Sequence, residues 1–321
     1  MLAVGVTALV AIVVGIALAT GFLTPPGSPV STTGPVASLR TVLRSTSAAD
    51  MVVDNGTGWA VLDQTGSIRS FDPSSGAWTG RPIRVGSYPA AVTAGYGKLW
   101  VADAVGNDVV VVDPTTGRRV GTPISVGQGP VSVAAGEGGV WVASLGADTV
   151  SLIDPKSRTV TATVALPPDV GAVRVALGAG GVWVTGTTDT LTRLSPKPVG
   201  VSLDWKAVRV GQGPIGLAVA SGAVWTGDAL DGTITKVDAS TLRVVGHYAV
   251  GGDPAHVAVF DGVVWVGDGV SGSLIAVDPS TGRQIGTTVH LRGPVRGLLV
   301  SDGSLWAVTA NPGSVVVVSP N

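Results

Sequence analysis

The chain has 321 residues, a net charge of −1 and 13% charged residues, about half of the usual share. No basic run is present, so the charge pattern gives no indication of nucleic-acid binding. The absence of cysteine excludes disulfides, thiol catalysis and cysteine-bound zinc.

The N-terminal segment, residues 1–23, carries no charged side chain. At about 1.5 Å per residue, a helix of this length would cross a hydrocarbon core of about 30 Å. We therefore predict one transmembrane helix. The alternative is a cleaved signal peptide, because Ala17-Leu18-Ala19 fits a small-x-small cleavage site; the long apolar run without a preceding basic residue counts against it.

Residues 24–37 are rich in Pro, Ser and Thr and predict an extended linker. We expect the domain that follows to be extracytoplasmic. It would be held at the cell membrane by the N-terminal helix, or secreted if that segment is cleaved.

A tryptophan recurs through the remaining chain at spacings of 40 to 42 residues. The seven positions are Trp59, Trp100, Trp141, Trp183, Trp225, Trp265 and Trp306. A fixed period of this length marks a repeat architecture. We expect each indole ring to be wedged between two neighbouring repeats.

One repeat, residues 130–171, shows how each unit should fold. Short apolar stretches at 131–135, 140–143, 149–153 and 159–165 are separated by turns rich in Gly, Asp and Pro. The aspartates of the Asp-Pro turns, such as Asp72, Asp113 and Asp278, should accept backbone N–H groups rather than bind metal. Four antiparallel strands repeated seven times predict an all-β, seven-bladed β-propeller over residues 38–321.

The two ends of the propeller complement each other. The last repeat stops after three strands, whereas residues 39–44 precede the first repeat as a surplus strand. We predict that this N-terminal strand completes the last blade, which removes exposed strand edges. One turn, residues 195–207 with the additional Trp205, is longer than its counterparts; a tolerated surface insertion is favoured over a partner contact.

The repeated phrase, as in GGVWVASLGADTVSLIDPKSRTV, resembles the YVTN-type β-propeller repeats of prokaryotic surface and periplasmic proteins. NHL-repeat propellers are more distant relatives. The resemblance covers about residues 38–321 and implies the fold rather than one function. Some membrane-spanning bacterial Ser/Thr kinases are similar in carrying an extracytoplasmic propeller as a sensor, although no kinase motif is present here. Streptogramin lyases are also seven-bladed propellers, with a histidine general base and a metal-assisted site.

A candidate ligand site follows from propeller topology. The fourth-to-first strand connections and the second-to-third strand turns should meet at one mouth of the central channel. Two positions were compared across the blades: two residues after the turn proline, and three residues after each tryptophan. The charged side chains and the histidine at these positions are Asp50, Asp103, Arg174, Asp228, His256, Asp268 and Arg296. They are either a ligand-binding site or the solvated rim of a channel.

The sequence offers little for catalysis, and we predict no catalytic residue, metal ligand or cofactor. Glu137, the only glutamate, lies in a turn expected on the opposite face, and His247 and His290 fall in outer strands. The expected function is a non-catalytic binding or sensor module for a small ligand, a wall polymer or a protein. The alternatives are a metal-assisted lyase or hydrolase using His256, and a purely structural surface module.

Overall fold

The computed structural model describes residues 38–44, 48–136, 138–167, 170–194, 205–310 and 313–319. Seven antiparallel sheets, the blades, form this part of the chain. The predicted transmembrane helix and linker lie outside the described residues, and so does Glu137. None of the helical turns that are described has the length and apolar composition needed to cross a bilayer.

The strands follow the tryptophan repeat. The first strand is β1 (Ser38–Arg44). Blades 1 and 2 contain β2 (Ala48–Asp54), β3 (Thr57–Leu62), β4 (Ser67–Phe71), β5 (Ile83–Arg84), β6 (Pro89–Gly95), β7 (Lys98–Asp103), β8 (Asp108–Asp113), β9 (Arg118–Arg119) and β10 (Ile124–Ser125). Blades 3 and 4 contain β11 (Pro130–Gly136), β12 (Gly139–Ser144), β13 (Thr149–Asp154), β14 (Thr159–Ala165), β15 (Arg174–Gly178), β16 (Gly181–Thr185), β17 (Thr190–Leu194) and β18 (Trp205–Arg209).

The remaining blades repeat the same pattern. Blades 5 and 6 contain β19 (Pro214–Ala220), β20 (Ala223–Asp228), β21 (Thr233–Asp238), β22 (Arg243–Ala249), β23 (His256–Phe260), β24 (Val263–Gly267), β25 (Ser273–Val277) and β26 (Gln284–His290). Blade 7 contains β27 (Val295–Ser301), β28 (Ser304–Thr309) and β29 (Ser314–Ser319), together with β1. The predicted all-β, seven-bladed propeller is confirmed.

The N-terminal strand closes the ring. In blade 7 the strand order is β1-β29-β28-β27, and β1 pairs antiparallel with β29, from Ser38 opposite Ser319 to Arg44 opposite Ser314. The first strands of consecutive blades contact each other around the channel, and β27 contacts β2. The predicted closure is confirmed, and β1 covers an edge of blade 7 that would otherwise be free to pair with another chain.

The repeated tryptophans form the spaces between blades. Each is at most 4% exposed and packs against the following blade. Trp141 of blade 3, for example, shares a buried cluster with Val182 and Val184 of blade 4. Trp306 of blade 7 packs with Met51 of blade 1, so the same contact seals the ring. The predicted position of the indole rings is confirmed.

The Asp-Pro turns have the expected internal role. Asp72 Oδ1 accepts the backbone N–H of Ser74 at 2.7 Å, and Asp113 Oδ1 accepts those of Thr115 and Thr116 at 2.9 Å. Hydrogen bonds from Ser74 and Ser75 lower the pKa of Asp72 to about 2. These contacts account for the aspartates as turn-forming residues.

An indole between blades should matter far more to stability than one on an edge. We expect Trp141→Ala to lower the free energy of unfolding by about 3–5 kcal/mol, because it leaves a large cavity at the interface of blades 3 and 4. The matched control is Trp205→Ala, since Trp205 begins the outer strand β18 and is 43% exposed. That control should change stability by about 0.5 kcal/mol or less. Urea unfolding of the two variants makes the comparison, and equal losses would contradict the role of the buried ring.

Candidate functional site

The two predicted sets of residues lie at the same end of the inner strands. His256 in β23 pairs with Gly267 in β24, and Asp268 follows Gly267 directly in the chain. In blade 1, Asp50 pairs with Val61 near the end of β3 in the same way. This end of the channel is hereafter called the mouth.

Three side chains from blades that are not neighbours meet at the mouth. Arg174 Nη2 of blade 4 lies 3.0 Å from His256 Nδ1 of blade 6. Asp50 of blade 1 interacts electrostatically with Arg174, and its Oδ2 accepts the backbone N–H of Val92 at 2.9 Å. Because no two of these blades are adjacent, the contacts form inside the channel rather than in a space between blades.

The protonation of His256 follows from its surroundings. Burial lowers its pKa well below 6.5, and the positive charges of Arg174 and Arg296 lower it further, while a hydrogen bond with the backbone of Val295 opposes them. A guanidinium has donors only, so Nδ1 must accept from Arg174 and the neutral ring carries its proton on Nε2. His256 is therefore a neutral acceptor at the mouth.

Burial also acts on the two charged partners. It raises the pKa of Asp50, against the lowering effects of the Val92 N–H and of Arg174. It lowers the pKa of Arg174, and the charge of Asp50 opposes that shift. The two charges therefore compensate each other where water is scarce.

Arg296 belongs to the mouth but not to the position that the sequence predicts. Val295 pairs with Thr309 and Gly297 with Val308, so Arg296 sits between them at a register shift. Gly297 consequently occupies the place that Asp50 and His256 take in their own blades. Aligning blade 7 by its turn proline is wrong by one residue, because Pro294 lies one residue farther from its tryptophan than the corresponding prolines do.

Two residues at the mouth were missed by the sequence analysis. Arg296 Nη1 lies 3.6 Å from Asp63 Oδ2, with the Arg296 side chain 33% exposed and that of Asp63 7% exposed. Burial and the charge of Asp63 raise the pKa of Tyr88, and Arg296 lowers it, so Tyr88 lies in the same field. Asp63 directly follows Leu62, the residue three after Trp59, and counting one residue further would have found it.

Asp103 holds the backbone of a loop rather than pointing at the other mouth residues. Its carboxylate accepts the N–H of Ser87 at 3.0 Å and that of Tyr88 at 2.7 Å. A Cβ at Gly86 would clash with Asp103 Oδ2, so the glycine lets the connection between blades 1 and 2 close over the carboxylate. Asp103 therefore positions the loop that carries Tyr88.

Asp228 and Asp268 also bond to nearby strands and loops, and Asp268 Oδ2 accepts the N–H of Asp253 in the connection before its blade. Asp228 is fully buried and accepts the hydroxyls of Thr226 at 2.7 Å and Thr235 at 2.6 Å. Asp268 Oδ1 accepts the N–H of Val270 at 2.8 Å. The seven predicted residues thus divide into a group that meets at the mouth, namely Asp50, Arg174, His256 and Arg296, and a group that shapes its loops, namely Asp103, Asp228 and Asp268.

The other two histidines do not add to the mouth. His247 and His290 lie in the outer strands β22 and β26. Within the described ranges, no three His, Cys, Asp or Glu side chains are grouped so that they could hold a metal ion. The mouth can bind through two guanidinium groups, a neutral imidazole, a phenol and two carboxylates.

Comparison with solved structures supports the fold. Similar structures include the catalytically inactive histidine-to-alanine variant of virginiamycin B lyase from Staphylococcus aureus with quinupristin, at 13% identity and a TM-score of 0.77 over 88% of this chain and 99% of that one. A streptogramin B lyase matches at 16% identity and 0.72, over 89% and 98%. The Pan2 WD40 domain of Neurospora crassa matches at 14% and 0.71, over 88% and 96%.

At these identities the likeness establishes the propeller fold and no activity. No protein-family model matches the sequence, and no curated protein is significantly similar to it.

The buried neutral His256 predicts a specific pH dependence. Below pH 6.5 the unfolded chain takes up a proton at this residue and the folded protein does not, so the free energy of unfolding should fall as the pH is lowered. The contribution is at most about 1.4 kcal/mol per pH unit. His256→Gln lacks this contribution. The free energy of unfolding of the native protein, minus that of the variant, should therefore decrease as the pH is lowered from about 7 to about 5.

Urea unfolding at several pH values measures this difference. Asp253, whose pKa is raised to about 6 by burial and by Asp268, titrates in both proteins and cancels from the comparison. Parallel pH profiles for the two proteins would show that His256 is not held neutral.

Proposed function

We propose that this chain is a binding or sensor propeller and that a small polar ligand docks at the mouth. The contact of Arg174 with His256 across the channel is the observation that carries the proposal. Asp50, Arg296 and Asp63 lie around it, in a chain with only 13% charged residues. Concave sites with a few convergent polar groups are the usual places for small ligands.

The electrostatics of the mouth favour binding over base catalysis. A general base works best with a pKa near the working pH, whereas the pKa of His256 is far below its ordinary value. Its Nδ1 is also occupied by Arg174. His256 is better suited to orient Arg174 toward an acceptor group of the ligand than to remove a proton.

We also propose that the propeller lies outside the cell, next to the membrane. The apolar, uncharged residues 1–23 would tether the propeller to the cell membrane, with the linker 24–37 holding the domain on the extracytoplasmic side. A ligand outside the cell, a wall polymer or the exposed part of another protein would then have access to the mouth.

Arg296 offers the cleanest test, because it is partly exposed and its contact with Asp63 is long. A library of polar small molecules is screened by thermal shift against the full-length chain, and the affinity of each hit is measured by calorimetry. We expect Arg296→Gln to weaken binding about tenfold or more, since a hydrogen bond to a charged group contributes about 1.5–3 kcal/mol. The matched control is Arg209→Gln. Arg209 lies on the outer strand β18, is exposed and pairs with Asp189 at 3.6 Å.

The outcomes distinguish the possible roles. Unchanged affinity in Arg296→Gln, Arg174→Gln and His256→Gln would remove the mouth as the ligand site. If no small molecule shifts the melting temperature but a wall polymer or a protein does, the chain is a docking module. No response to any of them would favour a purely structural role.

The second candidate is a lyase or hydrolase. It is favoured by one observation, the similarity of the fold to a streptogramin B lyase and to a virginiamycin B lyase whose histidine-to-alanine variant is catalytically inactive. The test is incubation of the full-length chain with quinupristin and added magnesium, followed by mass spectrometry. Ring opening that is lost in His256→Gln would establish catalysis, and intact quinupristin at high enzyme concentration would leave the binding role.

A further inference from the structure

The outer strands of blades 1 and 2 are short, with two residues in β5 and two each in β9 and β10, whereas those of blades 3 to 7 have five or seven. β4 ends at Phe71, and the outer strand β5 has only two residues, which pair with Ser67 and Ile68. Residues 72–82 run between them as a loop, in which Trp78 bridges to Phe71 and makes an edge-to-face ring contact with it at 6.2 Å. Half of the outer strand is therefore replaced by a loop, which bonds to the end of β4 through Trp78 and Thr79.

This departure leaves an open cleft of about 570 Å³ between blades 1 and 2. Its walls include Thr57, Trp59, Ser70, Thr79 and Arg81 of blade 1 and the turn 114–117 of blade 2. That turn joins the third strand of blade 2 to its outer strand, at the end of the blade opposite the mouth. The volume lies within the range of about 300–1,000 Å³ found for small-molecule sites.

The chemistry of the walls is that of hydroxyl groups around one cation. Thr57, Ser70, Thr79, Thr115 and Thr116 supply hydroxyls, and none of the lining residues is an acid. Arg81 is exposed and makes no ion pair or hydrogen bond with any residue that the structure describes. The cleft therefore presents the positive charge of Arg81 without a counterion from the described residues. Next to it lie several hydroxyl groups that can donate and accept hydrogen bonds.

Trp59, which lines the cleft, has an indole N–H that is unpaired within the described part of the chain. Trp100, Trp183 and Trp306 each donate their indole N–H to the carbonyl five residues earlier, at 2.9 to 3.2 Å. Trp59 Nε1 is buried and has no hydrogen-bond partner among the described residues, a property it shares with Trp265. The N–H of Trp59 is closed off from solvent, so it adds no donor to the open cleft.

We propose that this cleft binds an acidic saccharide, a sugar with a carboxylate that pairs with Arg81 and hydroxyls that bond to the threonine and serine walls. A peptide added as a β-strand is disfavoured, because the edge of β4 is already used. Ser70 O accepts the N–H of Thr79 at 3.0 Å, and Arg69 Nε donates to Gly80 O at 2.7 Å. A sugar needs no free strand edge, and a guanidinium matches a carboxylate with two parallel hydrogen bonds.

The experiment uses the full-length chain with digalacturonic acid as the probe and the uncharged digalactose of the same linkage as its counterpart, both by calorimetry. We expect digalacturonic acid to bind at least tenfold more tightly than digalactose. Arg81→Gln should remove that preference, with about a tenfold loss of affinity for the acid. The matched control is Arg84→Gln, because Arg84 is exposed on the same outer segment but does not line the cleft.

Two further variants locate the site. Thr115→Ala combined with Thr116→Ala alters the blade 2 wall and should weaken binding about threefold or more. Arg174→Gln changes the mouth and should leave the affinity for digalacturonic acid unchanged, so failure at one site is distinguishable from failure at the other. The proposal is overturned if digalacturonic acid does not bind at millimolar concentration, if digalactose binds equally well, or if Arg81→Gln keeps the full affinity.

Discussion

The stability of the molecule depends on the packing of one indole ring between each pair of blades. A single four-stranded sheet has two faces and cannot bury both of them by itself. Each tryptophan, at most 4% exposed, lies on one blade and covers apolar residues of the next. Since Trp306 meets blade 1 in the same way, no blade is left with an open face. The N-terminal strand is part of this requirement, because without it blade 7 would end at β29.

The same packing decides where charge can be placed. The spaces between blades are filled by Val, Ala, Ile and Trp, and a charge there would be desolvated without a partner. Charged side chains are therefore found in the outer turns and in the channel. Those in the channel are tied to the framework: Asp50 accepts the N–H of Val92 on the next blade, and Ser132 Oγ accepts that of Val175 at 3.2 Å. The mouth is therefore fixed by the contacts that join inner strands, and its polar groups are held in place before any ligand arrives.

The sequence predicted the architecture because the physical cause of the fold is also what repeats. The spacing of the tryptophans, the strand pattern of residues 130–171 and the surplus strand at 39–44 all correspond to observed elements. The mouth was harder to predict. Arg296 is displaced by one residue because blade 7 has one more residue between its proline and its tryptophan, and counting from the tryptophan instead would have placed Gly297 at this position. The roles of Asp103 and Asp228 depend on which N–H and hydroxyl groups the folded loops bring to them, and spacing alone does not contain that information.

A repeated scaffold also explains where individual function can arise. At the position of Asp50, Arg174 and His256, blades 2, 3, 5 and 7 have the small residues Ala91, Ser132, Gly216 and Gly297. The small residues leave room in the channel for the long side chain of Arg174 to reach His256 two blades away. Blade 1 departs from the repeat at its outer edge instead, where a shortened strand opens a cleft beside Arg81. Residues that obey the repeat build the ring, and residues that break it supply the chemistry, so the departures are the positions at which selection for a ligand can act without loosening the packing between blades.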